Sequence, residues 1–159
     1  MALTFRSAVE ADTGLILQFI RALAEYEKML DLVVADEELL ADQLFRKKNA
    51  EVIFAVEDGK EVVFALYFHN FSTFLGRSGL YLEDLFVYPE HRGKGYGKAV
   101  MAQVIEKCES LLVEYATLGA KYDKKGFYQS LGFEEYGDIF YEEGIPHIMM
   151  KKLVTELLF

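Results

Sequence analysis

The segment His91-Arg92-Gly93-Lys94-Gly95-Tyr96-Gly97-Lys98 combines three glycines with three basic side chains. The extended run Leu80–Val87 precedes it and Pro89 stops that run. Apolar residues at helical spacing follow it: Val100, Met101, Val104, Ile105, Cys108 and Leu112. A glycine-rich turn between a strand and a helix exposes several backbone N–H groups. Those donors, together with the helix macrodipole, make an anion site suited to a phosphate or pyrophosphate. The glycines let the backbone approach the oxygens closely and supply any left-handed φ that the turn needs. Spacing narrows the ligand. The dinucleotide pattern G-x-G-x-x-G fails at Lys98 or Val100, and the P-loop's Gly-Lys-Ser/Thr ending is absent. NAD and ATP are therefore poor fits, and the pattern that remains is Arg-x-x-Gly-x-Gly after a strand.

The rest of the chain must position this loop. Residues 2–8 alternate as a strand does, and a helix start is expected at Asp12 or Thr13. Leu15, Ile16, Phe19, Ile20, Leu23 and Tyr26 then form a helical stripe ending near Lys28. Asp36, Glu37 and Glu38 put acids at the start of a second, shorter helix, with Leu39, Leu40, Leu44 and Phe45 on its apolar face. Glu51–Glu57 and Glu61–His69 read as antiparallel strands joined at Asp58-Gly59-Lys60. After the loop and its helix, a strand is expected at Leu112–Leu118 and a short helix over Lys124–Leu131. Two closing strands are expected near Glu134–Tyr141 and Ile145–Lys152. No internal repeat, low-complexity tract or linker interrupts the pattern, so residues 1–159 read as a single α/β or α+β domain.

Composition sets the limits. The formal net charge is −9, from 17 Lys+Arg against 26 Asp+Glu, which argues against nucleic acid binding over the whole surface and favours cationic substrates. Cys108 is the single cysteine, so neither an internal disulfide nor a cysteine-rich metal site is available. It falls on the apolar stripe of its helix and reads as core. His69, His91 and His147 lack metal-ligand spacing, and no metal is expected. Phe64–Phe74 reads as core or dimer surface rather than a stacking platform for bases. The longest apolar run, Val62–Phe68, is too short to span a bilayer, so no membrane partner and a reducing, cytoplasmic setting are expected.

The loop, with its strand before and helix after, resembles that of the GNAT (GCN5-related) N-acetyltransferase family. Arg6-Ser7-Ala8-Val9-Glu10-Ala11-Asp12 resembles the family's opening, and Phe127-Tyr128-Gln129-Ser130-Leu131-Gly132-Phe133 resembles its closing signature. Within the family, Leu80–Val87 and Leu23–Glu27 are similar to segments of the spermidine/spermine, or diamine, acetyltransferases. The resemblance implies an α+β acyl-CoA N-acyltransferase fold, a mixed and mostly antiparallel sheet flanked by helices and splayed where the coenzyme inserts. It implies acetyl-CoA as cosubstrate, held by Arg92, Gly93, Lys94, Gly95, Tyr96, Gly97 and Lys98, with a backbone N–H of Leu85, Phe86 or Val87 facing the reacting oxygen. Where many members carry Trp-Asn or a similar pair, this chain has Ala120-Lys121, so Lys121 would reach the coenzyme by charge instead of an Asn contact.

An amine attacks a thioester as the free base, yet an alkylamine with a pKa of about 10 is mostly protonated at neutral pH. Glu83, on the strand before the loop, can accept that proton directly or through water, and the resemblance puts it at the family's base or substrate-binding position. Tyr128 can donate to the departing thiolate and matches the tyrosine of the closing signature. The resemblance further implies Tyr26, Glu27, Glu83 and Glu143 as contacts to the amine, while strand alternation sends Asp84 to the face opposite Glu83. Basic Arg92, Lys94, Lys98, Lys121, Lys124 and Lys125 suit an anionic coenzyme. The acids Glu134, Glu135, Asp138, Glu142 and Glu143 suit a second ammonium group.

The expected activity is direct acetyl transfer to a primary amine of a small molecule, with a diamine or polyamine as the leading acceptor. Rival acceptors are an amino-acid analogue, an antibiotic amine and a protein N-terminus; from another class, the rival is a non-catalytic CoA-binding regulatory module. The resemblance also implies a homodimer.

Overall fold

A computed structural model of the chain describes residues 3–110 and 113–154. Its strands are β1 (Leu3–Ser7), β2 (Glu51–Glu57), β3 (Lys60–Ser72), β4 (Arg77–Val87), β5 (Tyr115–Lys121), β6 (Glu134–Glu142) and β7 (Ile145–Leu153). The helices are α1 (Thr13–Tyr26), α2 (Glu37–Leu40), α3 (Tyr96–Ser110) and α4 (Lys125–Gln129). The strands form one seven-stranded mixed sheet in the order β1-β2-β3-β4-β5-β7-β6. The pairs β1–β2, β2–β3, β5–β7 and β6–β7 are antiparallel, and β4–β5 is parallel. The chain divides into two compact units, each built from two separate stretches.

The first unit comprises residues 1–67 and 84–100. Its core joins Ile16 and Phe19 of α1 to Leu44, Val52, Phe54, Phe64, Leu66 and Phe86. Phe19 stacks on Phe64 with centroids 5.0 Å apart and tilts against Phe54 and Tyr88 at 5.8 and 4.8 Å. Asp58 and Gly59 both have positive φ, 51° and 76°, as the two-residue turn between β2 and β3 requires.

Helix α1 ends at Tyr26, two residues before the expected Lys28. The Lys28 amide donates to the Glu25 carbonyl at 3.0 Å and the Met29 amide to Ala24 at 2.7 Å, with Lys28 at φ 59°. This left-handed C-terminal cap halts the helix and fixes the direction of Tyr26 and Glu27. At the other end, Arg6 grips Asp12 through two bonds of 2.8 Å and also binds Glu61 at 2.7 Å. Asp12 in turn accepts the Val9 amide. The second helix begins as the acids imply, its Asp36 side chain accepting the Leu39 amide at 2.8 Å, but it continues as a π-helical turn over Ala41–Arg46.

The second unit comprises residues 68–83 and 101–159, of which 101–110 and 113–154 are described after β4. It buries Leu80 and Leu82 of β4, Met101, Val104 and Cys108 of α3, Leu118 of β5 and Met150 of β7. Cys108 is wholly enclosed, and that burial pushes its thiol pKa up to about 12. The core reading of Cys108 therefore holds. Leu112 lies outside the described residues. Strand β5 begins at Tyr115 instead of Leu112, after the Val113 amide has bonded back to the Cys108 carbonyl at 3.0 Å. The Phe-rich stretch is divided: Phe64 is buried, whereas Phe71 and Phe74 are exposed.

The parallel ladder is short, running only from Gly79–Tyr115 to Leu82–Leu118, although β4 continues to Val87 and β5 to Lys121. Past Leu82 the two strands are no longer in register.

Candidate active site

The glycine loop belongs to the first unit. After β4, Pro89–His91 make one 3-10 turn, in which the His91 amide donates to Tyr88 at 2.9 Å and the Arg92 amide to Pro89 at 3.3 Å. Gly93 and Gly95 then adopt φ of 78° and 79°, so the turn does need glycine at these two positions. A Cβ built on either would meet no atom within 4 Å, so the backbone faces open space there. The Ala99 amide donates to the Gly95 carbonyl at 3.1 Å as the first turn of α3 closes. The amides at the start of a helix have no intrahelical acceptor, and here they follow directly on the two left-handed glycines. Arg92, Lys94 and Lys98 are exposed beside them. Open approach, a helix start and cationic side chains together fit a pyrophosphate.

Arg92 is more tightly engaged than the other two. Its Nε donates to the Val87 carbonyl at 2.9 Å, and its guanidinium lies 4.2 Å from the centre of the Tyr26 ring and 5.2 Å from that of Phe86. Tyr26 meets Phe86 edge-on at 6.2 Å. Lys94 lies 5.6 Å from the centre of the Tyr96 ring, and His91 stacks over that ring at 6.4 Å. The His91 Nδ1 faces Glu57 at 3.6 Å. Leu85, Phe86 and Val87 occupy the last residues of β4, Phe86 with its side chain in the core.

Glu83 belongs to the second unit, on the same face of β4 as Tyr81. Its side chain keeps an open face to solvent, yet partial burial of the carboxyl, reinforced by the charge of Glu142, raises its pKa above the usual carboxylate range. Tyr81 is also raised, by burial first and then by Glu83 and Glu142. Its hydroxyl reaches over Gly119, where a Cβ would stand 3.2 Å from it and 3.5 Å from the Phe140 ring. Phe140 stacks on His147 at 5.6 Å; the His147 Nε2 lies 3.8 Å from Glu142, while its Nδ1 faces the Ile145 carbonyl at 2.8 Å. Tyr81, Phe140 and Met149 thus surround the bare Gly119, and Phe140 in turn stacks on the His147 ring that faces Glu142.

The acid acting on Glu83 is Glu142. Glu143, the acid singled out from the sequence, sits with Gly144 in the turn between β6 and β7, at φ 49°. Both belong to the run of acids that the sequence sets aside for a second ammonium group. Tyr128 is half-buried in α4, its ring edge-on to Phe127 and Phe133 at 5.0 and 6.1 Å. Lys121 ends β5 opposite His147. Lys125 stands over the Tyr122 ring at 3.9 Å and 3.3 Å from Glu135, which draws both charges towards each other. Glu27 is half-buried directly after α1. Among the described residues, no three His, Cys, Asp or Glu side chains come together as a metal site requires, and no helix is long and apolar enough to cross a membrane.

The sheet order, the glycine loop opening α3 and the closing Phe-Tyr signature agree with the match of residues 21–154 to the acetyltransferase (GNAT) domain model: the chain belongs to that family. A thialysine N-epsilon-acetyltransferase from Bos taurus is 42% identical over 64% of this chain and 64% of its own length, so the chain spans less than two thirds of that relative. L-ornithine N5-acetyltransferase NATA1 from Arabidopsis thaliana is 24% identical over 82% of this chain and 79% of its own. The fold matches that of an acetyltransferase structure from Salmonella typhimurium, yncA, determined with its cofactor acetyl-CoA. The TM-score is 0.79 with 17% identity, covering 100% of this chain and 98% of that one.

Proposed function

We propose that the chain is an acetyl-CoA-dependent N-acetyltransferase that acts on a primary amine of a small cationic molecule, a diamine or polyamine first among them. The observation that carries this reading is Glu83, a carboxyl of raised pKa beside a second acid, Glu142, on the strand that leads into an open, cationic glycine loop. The backbone of Arg92 and Gly93, with Lys94, Gly95, Tyr96, Gly97 and Lys98, would hold the pyrophosphate, with Lys121 adding charge along the coenzyme. Acetyl-CoA supplies the activated acyl group.

Glu83 takes the proton from the bound ammonium, directly or through one water, freeing the nitrogen lone pair for the thioester carbon. A raised pKa suits that role, because a carboxylate that is more basic shares the proton of an amine more readily. An amide N–H from Leu85, Phe86 or Val87 donates to the carbonyl oxygen as it gains charge. As the C–S bond breaks, Tyr128 gives its phenolic proton to the leaving thiolate, and the proton shed by the new amide nitrogen, directly or through water, restores the phenol. Glu142 holds the acceptor's charge, and the family resemblance adds Tyr26, Glu27 and Glu143 as further contacts to the amine. A pair of subunits is part of the same reading, and sedimentation as a monomer alone at working concentration would remove that part without touching the chemistry.

The names of the two relatives favour a second acceptor class, the side-chain amine of a diamino acid such as thialysine or ornithine. Thiol release from acetyl-CoA, followed against diamines, polyamines, lysine analogues, ornithine, aminoglycosides and short peptides, separates the readings. Turnover confined to diamines and polyamines supports the first, and turnover confined to diamino acids supports the second. Tight acetyl-CoA binding with no turnover across the panel would replace both with a protein acceptor or a non-catalytic CoA-binding module.

A further inference from the structure

The loop pattern makes Arg92 a phosphate ligand, but its guanidinium is held by three groups of the protein. The Nε–H donates to the carbonyl of Val87, the last residue of β4. The guanidinium lies against the ring of Tyr26, the last residue of α1, at 4.2 Å, and against Phe86 at 5.2 Å. The next residue is Gly93, with φ 78°, where the loop turns. One side chain therefore ties the end of α1 and the end of β4 to the first bend of the glycine loop, all within the first unit.

Arginine suits this seat as lysine does not. A planar guanidinium donates in its plane to a carbonyl while stacking its flat face on an aromatic ring, and an ammonium has no flat face to stack. Tyr26 is 49% exposed, so its ring adds little to the core while it carries the contact with Arg92. The same contact covers one face of the ring, so that face is closed to an acceptor's ammonium.

Resting on the acetyl-CoA reading above, we propose that Arg92 is a positioning residue through which Tyr26, on the acceptor side, sets the affinity of the glycine loop for the coenzyme. Removing the Tyr26 ring leaves the guanidinium with the Val87 carbonyl and Phe86 alone and loosens its tie to the start of the loop. Because coupling between sites is reciprocal, coenzyme binding in turn steadies Tyr26.

The test is calorimetric titration of acetyl-CoA into the wild-type protein, Tyr26→Leu, Tyr26→Phe, Arg92→Met, Arg92→Lys and the double variant Tyr26→Leu/Arg92→Met, each checked for folding by circular dichroism. Tyr26→Leu weakens binding by about three- to tenfold, the worth of a partly exposed cation–π contact. Tyr26→Phe keeps the ring and restores the affinity. In the Arg92→Met background the Tyr26→Leu change costs nothing more, since the contact is already gone. Arg92→Lys weakens binding with the charge retained, which reads the same contact should Tyr26→Leu not fold.

Wild-type affinity in Tyr26→Leu or in Arg92→Lys would overturn the proposal. A Phe variant as weak as Leu would overturn it by assigning the effect to the hydroxyl, as would an undiminished Tyr26→Leu effect in the Arg92→Met background by assigning it to some other contact. Failure of the wild type to bind acetyl-CoA would instead remove the functional reading itself, and this inference with it.

Discussion

Gly95 and Gly59 offer a matched pair of perturbations. Both have left-handed φ, 79° and 76°, and an added Cβ at either meets nothing within 4 Å. One lies in the glycine loop and the other turns the β2–β3 hairpin. Alanine at either position pays the same conformational strain of about 1–2 kcal/mol, with no clash to add to it. For a chain of this size that lowers Tm by roughly 2–8 °C. If a pyrophosphate lies against the Gly95 backbone, the new methyl also stands where its oxygens must approach. Losing one or two charge-assisted hydrogen bonds at about 1.5 kcal/mol each weakens acetyl-CoA by about 10- to 100-fold. Thermal melts without ligand and calorimetric titration with acetyl-CoA measure the two effects separately. The expected outcome is equal destabilisation, with affinity lost in Gly95→Ala alone. Equal destabilisation with wild-type affinity in both would show that the loop's glycines serve its bend and not a ligand.

Tyr128→Phe should lower kcat by about a hundredfold, the lower end for a general acid, and leave the acetyl-CoA Kd unchanged; unchanged turnover in a stopped-flow assay removes Tyr128 from the reaction. The Glu83 carboxyl, followed by NMR titration, should lose its proton above the usual carboxylate range. Glu142→Gln, by removing a like charge, should move that titration to lower pH. A titration that stays put means that Glu142 does not face Glu83. The Asp12 carboxyl is held below its ordinary pKa by the Arg6 hydrogen bonds, so its stabilisation is complete above the usual carboxylate range and fades as pH falls through the depressed value. Asp12→Asn should cost about 1 kcal/mol in urea unfolding at neutral pH, allowing for the solvent exposure of Arg6, and the gap should close in acid.

Elements whose signals are local were legible in the sequence. Asp58-Gly59 named its hairpin because few other pairs accept two positive φ angles, and the Leu15–Tyr26 stripe named α1. The strand, glycines and helix around residue 95 named the anion loop. What escaped was decided by hydrogen bonds, strand register and packing that residue types alone do not signal. The start of β5 moved from Leu112 to Tyr115 because the Val113 amide is engaged by the end of α3. That Glu142 is the acid raising the Glu83 pKa depends on how β6 pairs with β7, which a run of acids does not reveal. The seat of Arg92 on Tyr26 joins residues far apart in sequence, and no spacing within the loop signals it.

The strand order has a consequence for synthesis on the ribosome. Every residue of the first unit, glycine loop included, exists once Val100 has been joined to the chain. Strand β5 is different, since one of its edges pairs with β7, and residues 145–153 are made only after β6. Vectorial folding would therefore complete the glycine loop's surroundings first and leave β5 with an open edge until the last described strand emerges, the interval in which a nascent chain is most exposed to wrong pairing.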